Sequence, residues 1–222
     1  MIANLQLVKG QTDQAIATYM QLLEKTPDNF NTLAQLIELL RRAGRLKEVD
    51  PIIESASKIC KRSNMAGLAF CKGLSHFFQN SPMEALKELN VARQDNTFGQ
   101  QATVCMVEIY LNPAQEMLVT LIEDQQNNNA TSQTTPQNIQ VARELIEDLA
   151  SKGVDTTIFE CQAHIATGVG ESISLAEKQL KTLLGKNKEY VPALVAYALC
   201  KFMKKQNSQG IDALRKVSAA DF

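Results

Sequence analysis

The sequence predicts an all-α protein, a tetratricopeptide-type solenoid of about six helical hairpins. From Gly10 to Gly44 is a step of 34 residues, which is the period of a repeat built from two antiparallel helices. Within this stretch Ala15 and Tyr19 lie one helical turn apart, a small and a large residue on the same face. Pro27 stands where the second helix must end, because proline cannot continue a helix.

The same pairing of small and large residues returns further along the chain. Ala176 and Gly210 are 34 residues apart and begin equivalent patterns. We expect Gly73 to allow two helices to approach closely, because glycine has no Cβ. The predicted structural repeat positions are Gly10, Ala15, Tyr19, Pro27, Gly44, Gly73, Ala85, Ala176 and Gly210.

Residues 1–113 form a predicted first block of hairpins. Residues 1–10 are the expected end of a first helix, and residues 12–25 its partner. Asp28 or Asn29 is expected to cap the next helix, which runs to about Ala43. Its partner is predicted to start near Leu46.

The third hairpin is predicted at residues 64–80 and 82–94, with Pro82 in the first helical position. Residues 98–111 form the next predicted helix, which stops before Asn112-Pro113.

Residues 114–138 interrupt the repeat. The part from 123 to 138 is rich in Gln, Asn and Thr and has little to bury, so we expect a mostly disordered insertion. Order is predicted to resume with a helix from Ile139, in a second block covering 139–222. That block holds two further hairpins, at 156–167 with 173–184 and at 190–205 with 208–219.

Composition argues against several classes of function. The net charge of −1 gives no excess of Lys and Arg, so nucleic-acid binding is disfavoured. The longest apolar run, Val191 to Cys200, is too short to cross a bilayer. The N-terminus has no signal-peptide pattern. Apolar residues near both ends, such as Leu5 and Phe222, predict a segment of a longer array or a chain whose ends are covered by a partner.

The five cysteines, at 60, 71, 105, 161 and 200, are odd in number and widely spaced. Cys71 and Cys105 are 34 residues apart, at equivalent places in two helices. These features favour core thiols in a reducing compartment over a disulfide framework.

Cys161 and His164 share a helix face and could in principle contribute to one metal site. A structural zinc site needs four ligands, and the sequence offers no second pair nearby. A Cys–His nucleophile pair would need an orienting third group, which is also missing. We therefore predict no catalytic, cofactor-binding or metal-binding residue and no small-molecule substrate.

Two basic clusters have two open interpretations. They can interact favourably with the dipole at the C-terminus of their helix, or they can contact an acidic partner. The candidate partner contacts are Arg41, Arg42, Arg45, Lys201, Lys204 and Lys205.

A chaperone-type carboxylate clamp is disfavoured. The pair Lys58 and Arg62 lies at the end of a second helix rather than on a first helix. The first helices of hairpins three and four carry Gly67, Cys71, Gln101 and Cys105 at the expected groove-facing positions.

Several longer strings are more specific than the general repeat. They are LIELLRRAG from Leu36, CKGL from Cys71, ARQDN from Ala92, EIYLNP from Glu108 and VPAL from Val191. In this order the chain resembles the tetratricopeptide repeat protein 21 family, the large all-repeat subunit of the intraflagellar transport A complex.

The resemblance implies a non-enzymatic scaffold with protein partners, acting in retrograde ciliary transport and ciliary protein trafficking. It also implies a location in the cytoplasm, the cilium and the ciliary base. The alternative is a general adaptor, or an assembly or co-chaperone module, outside cilia.

Overall fold

The computed structural model describes residues 12–61, 64–112 and 135–220. Eleven α-helices and no strand occur in these ranges, which confirms the all-α prediction. The chain divides into two compact units, residues 1–106 and 107–222. Gly10 and the segment 113–134, which contains most of the predicted insertion, lie outside the described residues.

The first unit is a row of antiparallel helices. It contains α1 (Thr12–Lys25), α2 (Phe30–Arg42), a 3-10 turn (Leu46–Glu48), α3 (Val49–Ile59), α4 (Met65–Phe78), α5 (Pro82–Ala92) and the first part of α6 (Gly99–Leu111). Helix α2 packs on α1 and α4, and α4 packs in turn on α3 and α5. Each helix therefore buries its apolar face against its neighbours in the row, as in a repeat array.

Helix α2 forms the centre of this row. Leu33, Leu36, Ile37 and Leu40 are fully buried, and burial of such a side chain stabilises the fold by about 1.5–3 kcal/mol. The helix begins where predicted, because the Asn29 side chain accepts a hydrogen bond from the backbone N–H of Thr32.

Two glycines of α4 set its distance from neighbouring helices. A Cβ added to Gly73 would lie 2.7 Å from Cγ of Leu89 on α5, and one added to Gly67 would lie 2.7 Å from Cδ2 of Phe30 on α2. The close approach expected at Gly73 is therefore confirmed. Gly67 and Cys71 are buried against Phe30, so the prediction that they line an open groove is wrong.

The second unit contains the remainder of α6 followed by five helices. They are α7 (Pro136–Ser151), α8 (Thr157–Ala166), α9 (Gly170–Lys186), α10 (Val191–Met203) and α11 (Asn207–Ala220). Helix α8 packs on α7, α9 and α10, and α10 packs on α9 and α11. Their shared core includes Ile165, Ala176, Leu180 and Cys200.

Helix α7 begins earlier than the sequence predicts. It starts at Pro136 rather than Ile139, because the Thr135 side chain caps it by accepting a hydrogen bond from the N–H of Asn138. Proline at the first helical position costs no hydrogen bond. Residues 136–138, predicted to belong to a disordered insertion, are therefore helical.

Helices α2, α4, α7 and α10 end in the same hydrogen-bonded turn. The residue with positive φ is Gly44, Asn80, Gly153 or Lys205. In each case the next N–H donates to the carbonyl five residues earlier, as in Arg45 to Leu40, Ser81 to His76, Val154 to Leu149 and Gln206 to Lys201. This pattern is the Schellman motif, and it confirms the turns predicted at Gly44 and at Asn80.

The predicted packing residues within the described ranges are placed as expected. Ala15, Tyr19, Ala85, Ala176 and Gly210 are buried. A Cβ added to Gly210 would lie 2.9 Å from Cε1 of the Phe202 ring. Pro27 lies in the turn between α1 and α2.

Candidate interaction surfaces

The arginine cluster at the end of α2 is occupied by ion pairs. Arg41 and Arg42 both bind the carboxylate of Glu38, at 2.7 and 3.1 Å. The Arg41 guanidinium also lies over the ring of Phe78, 4.8 Å from its centroid. Arg41 therefore joins the end of α2 to α4 through a cation–π contact.

Arg45 is held by acidic groups on both sides. It binds Glu48 at 2.6 Å and Asp13, on α1, at 2.9 Å. The hydrogen bond from Arg45 lowers the pKa of the Glu48 carboxyl. Together with Glu38, these carboxylates match the three arginines in number, so the cluster is close to neutral.

The lysine cluster has a different composition. Glu177, on α9, binds Lys181 at 2.8 Å on its own helix, and also Lys201 at 2.8 Å and Lys204 at 2.5 Å from the end of α10. Glu177 is only 8% exposed. The hydrogen bonds from Lys181, Lys201 and Lys204 lower the pKa of its carboxyl to about 2.

Lys201 is the buried anchor of this cluster. Its ammonium donates to Oε1 of Glu177 and to Oε1 of Gln206, at 2.8 and 2.9 Å, and lies 5.2 Å from the centre of the Tyr197 ring. Since Lys201 is 5% exposed, its charge is directed at Glu177 rather than at an outer surface. A partner contact predicted for Lys201 is therefore inconsistent with its position.

Lys181, Lys204 and Lys205 are the accessible members of the cluster. The side chain of Lys181 is 58% exposed and that of Lys204 25% exposed, while Lys205 is exposed in the turn after α10. Lys181 and Glu177 are not among the residues predicted from the sequence. Their spacing of four residues on a helix is the signal that could have found that pair.

Cys161 and His164 do not form a reactive pair. The Cys161 thiol is buried and donates to Oε1 of Gln179 at 3.3 Å, and burial raises its pKa to about 11. A neutral, buried thiol is a poor nucleophile. In the described ranges no three His, Cys, Asp or Glu side chains are grouped to hold a metal ion.

An apolar groove of about 360 Å³ lies between α1 and α3. Its lining is Met20, Leu23, Glu24, Pro27, Pro51, Ile52, Ser55, Ala56 and Ile59. Among the lining residues that the structure describes, Glu24 is the one ionisable side chain, so they offer hydrocarbon contact rather than acid–base chemistry. Among the described helices none is long and apolar enough to cross a membrane.

Comparison with known proteins shows relatives over nearly the whole chain. Tetratricopeptide repeat protein 21A of Mus musculus is 31% identical over 229 residues, covering 98% of this chain and 17% of the relative. The Homo sapiens 21A protein is 33% identical over 217 residues, covering 93% and 16%. Tetratricopeptide repeat protein 21B of Homo sapiens is 31% identical over 197 residues, covering 84% and 15%. The chain thus spans about one-sixth of the length of these relatives.

A solved structure, that of MamA, aligns with all of this chain and 95% of its own, with a TM-score of 0.37 and 15% identity. The family described as TT21 fifth ARM repeats domain matches residues 1–111, the range that contains helices α1 to α6. Armadillo and tetratricopeptide arrays both stack antiparallel helices, so this description agrees with the observed fold. The chain belongs to the tetratricopeptide repeat protein 21 family.

Proposed function

We propose that this chain is a segment of a non-enzymatic scaffold that binds other proteins. The observation that carries the proposal is that the buried side chains serve helix packing. The apolar faces of the helices are buried in helix–helix packing, and the buried charges of Glu177 and Lys201 are bonded to each other. What this arrangement offers to other molecules is the outer surface of packed helices, and repeat arrays bind protein partners through such surfaces.

We further propose that the parent protein acts in the intraflagellar transport A complex, in retrograde ciliary transport and ciliary protein trafficking. Membership of the tetratricopeptide repeat protein 21 family supports this, through the role that the family resemblance implies. The corresponding location is the cytoplasm, the cilium and the ciliary base, and the partners are other protein subunits.

The test is recovery of partners from a ciliated cell. The whole 222-residue chain carries an affinity tag, and proteins that co-purify are identified by mass spectrometry. A Leu36→Asp variant is the matched control, because a carboxylate at this fully buried position should unfold the first unit. Partners that depend on the fold are recovered with the native chain and lost with this variant.

Recovery of transport-complex subunits by the native chain supports the ciliary scaffold. Recovery of chaperones or unrelated assemblies by the native chain, shown to be folded by circular dichroism, supports a general adaptor outside cilia instead. Chaperones recovered only by Leu36→Asp report an unfolded chain and favour neither function.

A further inference from the structure

We propose that Lys181 and Lys204 form a binding site for the carboxylates of an acidic segment in a protein partner. The proposal rests on the scaffold function proposed above and names one of its contact surfaces. It is carried by the convergence of three ammonium groups on the single carboxylate of Glu177.

The geometry leaves hydrogen-bond donors available at this point. Oε1 of Glu177 accepts from Lys181 and Lys201, and Oε2 accepts from Lys204. An ammonium group has three donors. In the part of the chain that the structure describes, Lys181 and Lys204 each use one of theirs on Glu177, so donors remain on two neighbouring ammonium groups.

The charges at this point are also unbalanced. Three ammonium groups face one carboxylate, so two positive charges remain, and the exposed Lys205 follows Lys204 in the chain. The arginine cluster at the end of α2 differs, because its three guanidinium groups meet three carboxylates. The structure therefore distinguishes two basic clusters that the sequence presents as alike.

The buried position of Lys201 strengthens the site. Its charge balances that of the Glu177 carboxylate beneath the surface, so the charges of Lys181 and Lys204 remain for a ligand. Its bonds to Glu177 and Gln206 fix α9 against the end of α10. Lys181 and Lys204 are thus held near each other before a ligand arrives, which reduces the entropy lost on binding.

The ligand chemistry that fits best is a short run of carboxylates on a protein. Lys181 and Lys204 are both accessible and both bind Glu177, so they lie close together. Two carboxylates close together on an acidic segment could therefore bind one lysine each. The overall net charge of −1 disfavours a long phosphate backbone. An acidic segment also agrees with a scaffold whose partners are proteins.

The test is binding of a fluorescein-labelled peptide of alternating Glu and Ser to the whole chain, measured by fluorescence anisotropy. Lys181→Gln and Lys204→Gln should each weaken binding about fivefold, the size of a partly exposed charge pair. Raising the salt concentration should weaken binding further. Glu177 keeps Lys201 in either variant, and circular dichroism checks that each one is folded.

Lys178→Gln is the matched control. Lys178 is exposed on the same helix, and its replacement makes the same change of net charge. It should weaken peptide binding less than about twofold, because its ammonium group is not one of the three that converge on Glu177. Lys181→Arg should retain binding, because it keeps the charge at the site.

Several results would overturn the proposal. They are no peptide binding by the native chain, equal weakening by Lys178→Gln, or lysine-dependent binding of phosphatidylserine vesicles or an oligonucleotide without peptide binding. If peptide binding fails while transport subunits still co-purify, the scaffold function stands and its contact lies elsewhere. If peptide binding depends on Lys181 and Lys204 while co-purification fails, the acidic site stands and the ciliary assignment does not.

Discussion

Replacing Gly73 with alanine is the sharpest test of the close packing between helices α4 and α5. The added Cβ would lie 2.7 Å from Cγ, 2.8 Å from Cδ2 and 3.2 Å from the backbone N of Leu89. Optimal carbon contacts are about 3.5–4.0 Å, so the methyl group needs most of an additional ångström. Leu89 is fully buried and one of the crowded atoms belongs to the backbone, so the neighbour has little freedom to move.

The free energy of unfolding has two opposing contributions in this variant. Overpacking of a buried contact costs about 2–3 kcal/mol, the upper part of its usual range. Alanine recovers about 1 kcal/mol relative to glycine within a helix. We therefore expect Gly73→Ala to destabilise the chain by about 1–2 kcal/mol.

Gly185→Ala is the matched control, because it makes the same change in helix α9. No atom lies within 4 Å of a Cβ added to Gly185, so this variant should keep only the favourable term, up to about 1 kcal/mol. Urea unfolding followed by circular dichroism measures both, with the slope expected to stay constant. If Gly73→Ala raises the urea midpoint as Gly185→Ala does, helices α4 and α5 do not approach as closely as described.

Three further outcomes are expected. Ala85→Leu should lower the free energy of unfolding by about 1–3 kcal/mol through overpacking at a fully buried position; an unchanged urea midpoint would contradict this packing. The Glu177 carboxyl has its pKa lowered from 4.5 to about 2, so its contribution is present above pH 4.5 and is lost as pH falls towards 2. This contribution is at most about 3 kcal/mol, at 1.36 kcal/mol per pKa unit, and in Glu177→Gln the acid-induced loss of stability should be smaller by that amount. Burial raises the pKa of the Cys71 thiol, so a thiol reagent at mildly alkaline pH should modify the half-buried Cys60 before Cys71; rapid labelling of Cys71 in the folded chain would argue against its burial.

Features that depend on nearby residues could be predicted from the sequence. Pro82 begins α5 and Asn29 caps α2, because both act on the backbone within a few residues. Helix α1 ends at Lys25 as predicted, since Pro27 follows and cannot continue a helix. Helix α9 extends beyond the predicted range, because Gly170 starts the helix rather than completing the turn.

The charge pairs that join two different helices could not be predicted in the same way. Arg45 meets Asp13 across 32 residues, and Lys201 meets Glu177 across 24 residues. Such contacts depend on how one helix packs on another, which no local spacing specifies. Glu38 and Glu48 lie within four residues of their arginines, but Asp13 reaches Arg45, and Glu177 reaches Lys201 and Lys204, only through packing. For this reason the sequence presents the arginine and lysine clusters as equivalent.

The four Schellman turns share their hydrogen bonds but differ in the residue that has positive φ. Two of the four carry glycine at the residue with positive φ, and the other two carry Asn80 and Lys205. A residue with a side chain costs about 1–2 kcal/mol in this conformation, yet the two backbone hydrogen bonds of the turn are the same in all four. The turn is therefore defined by its backbone hydrogen bonds rather than by glycine, and glycine spacing alone detects only two of the four.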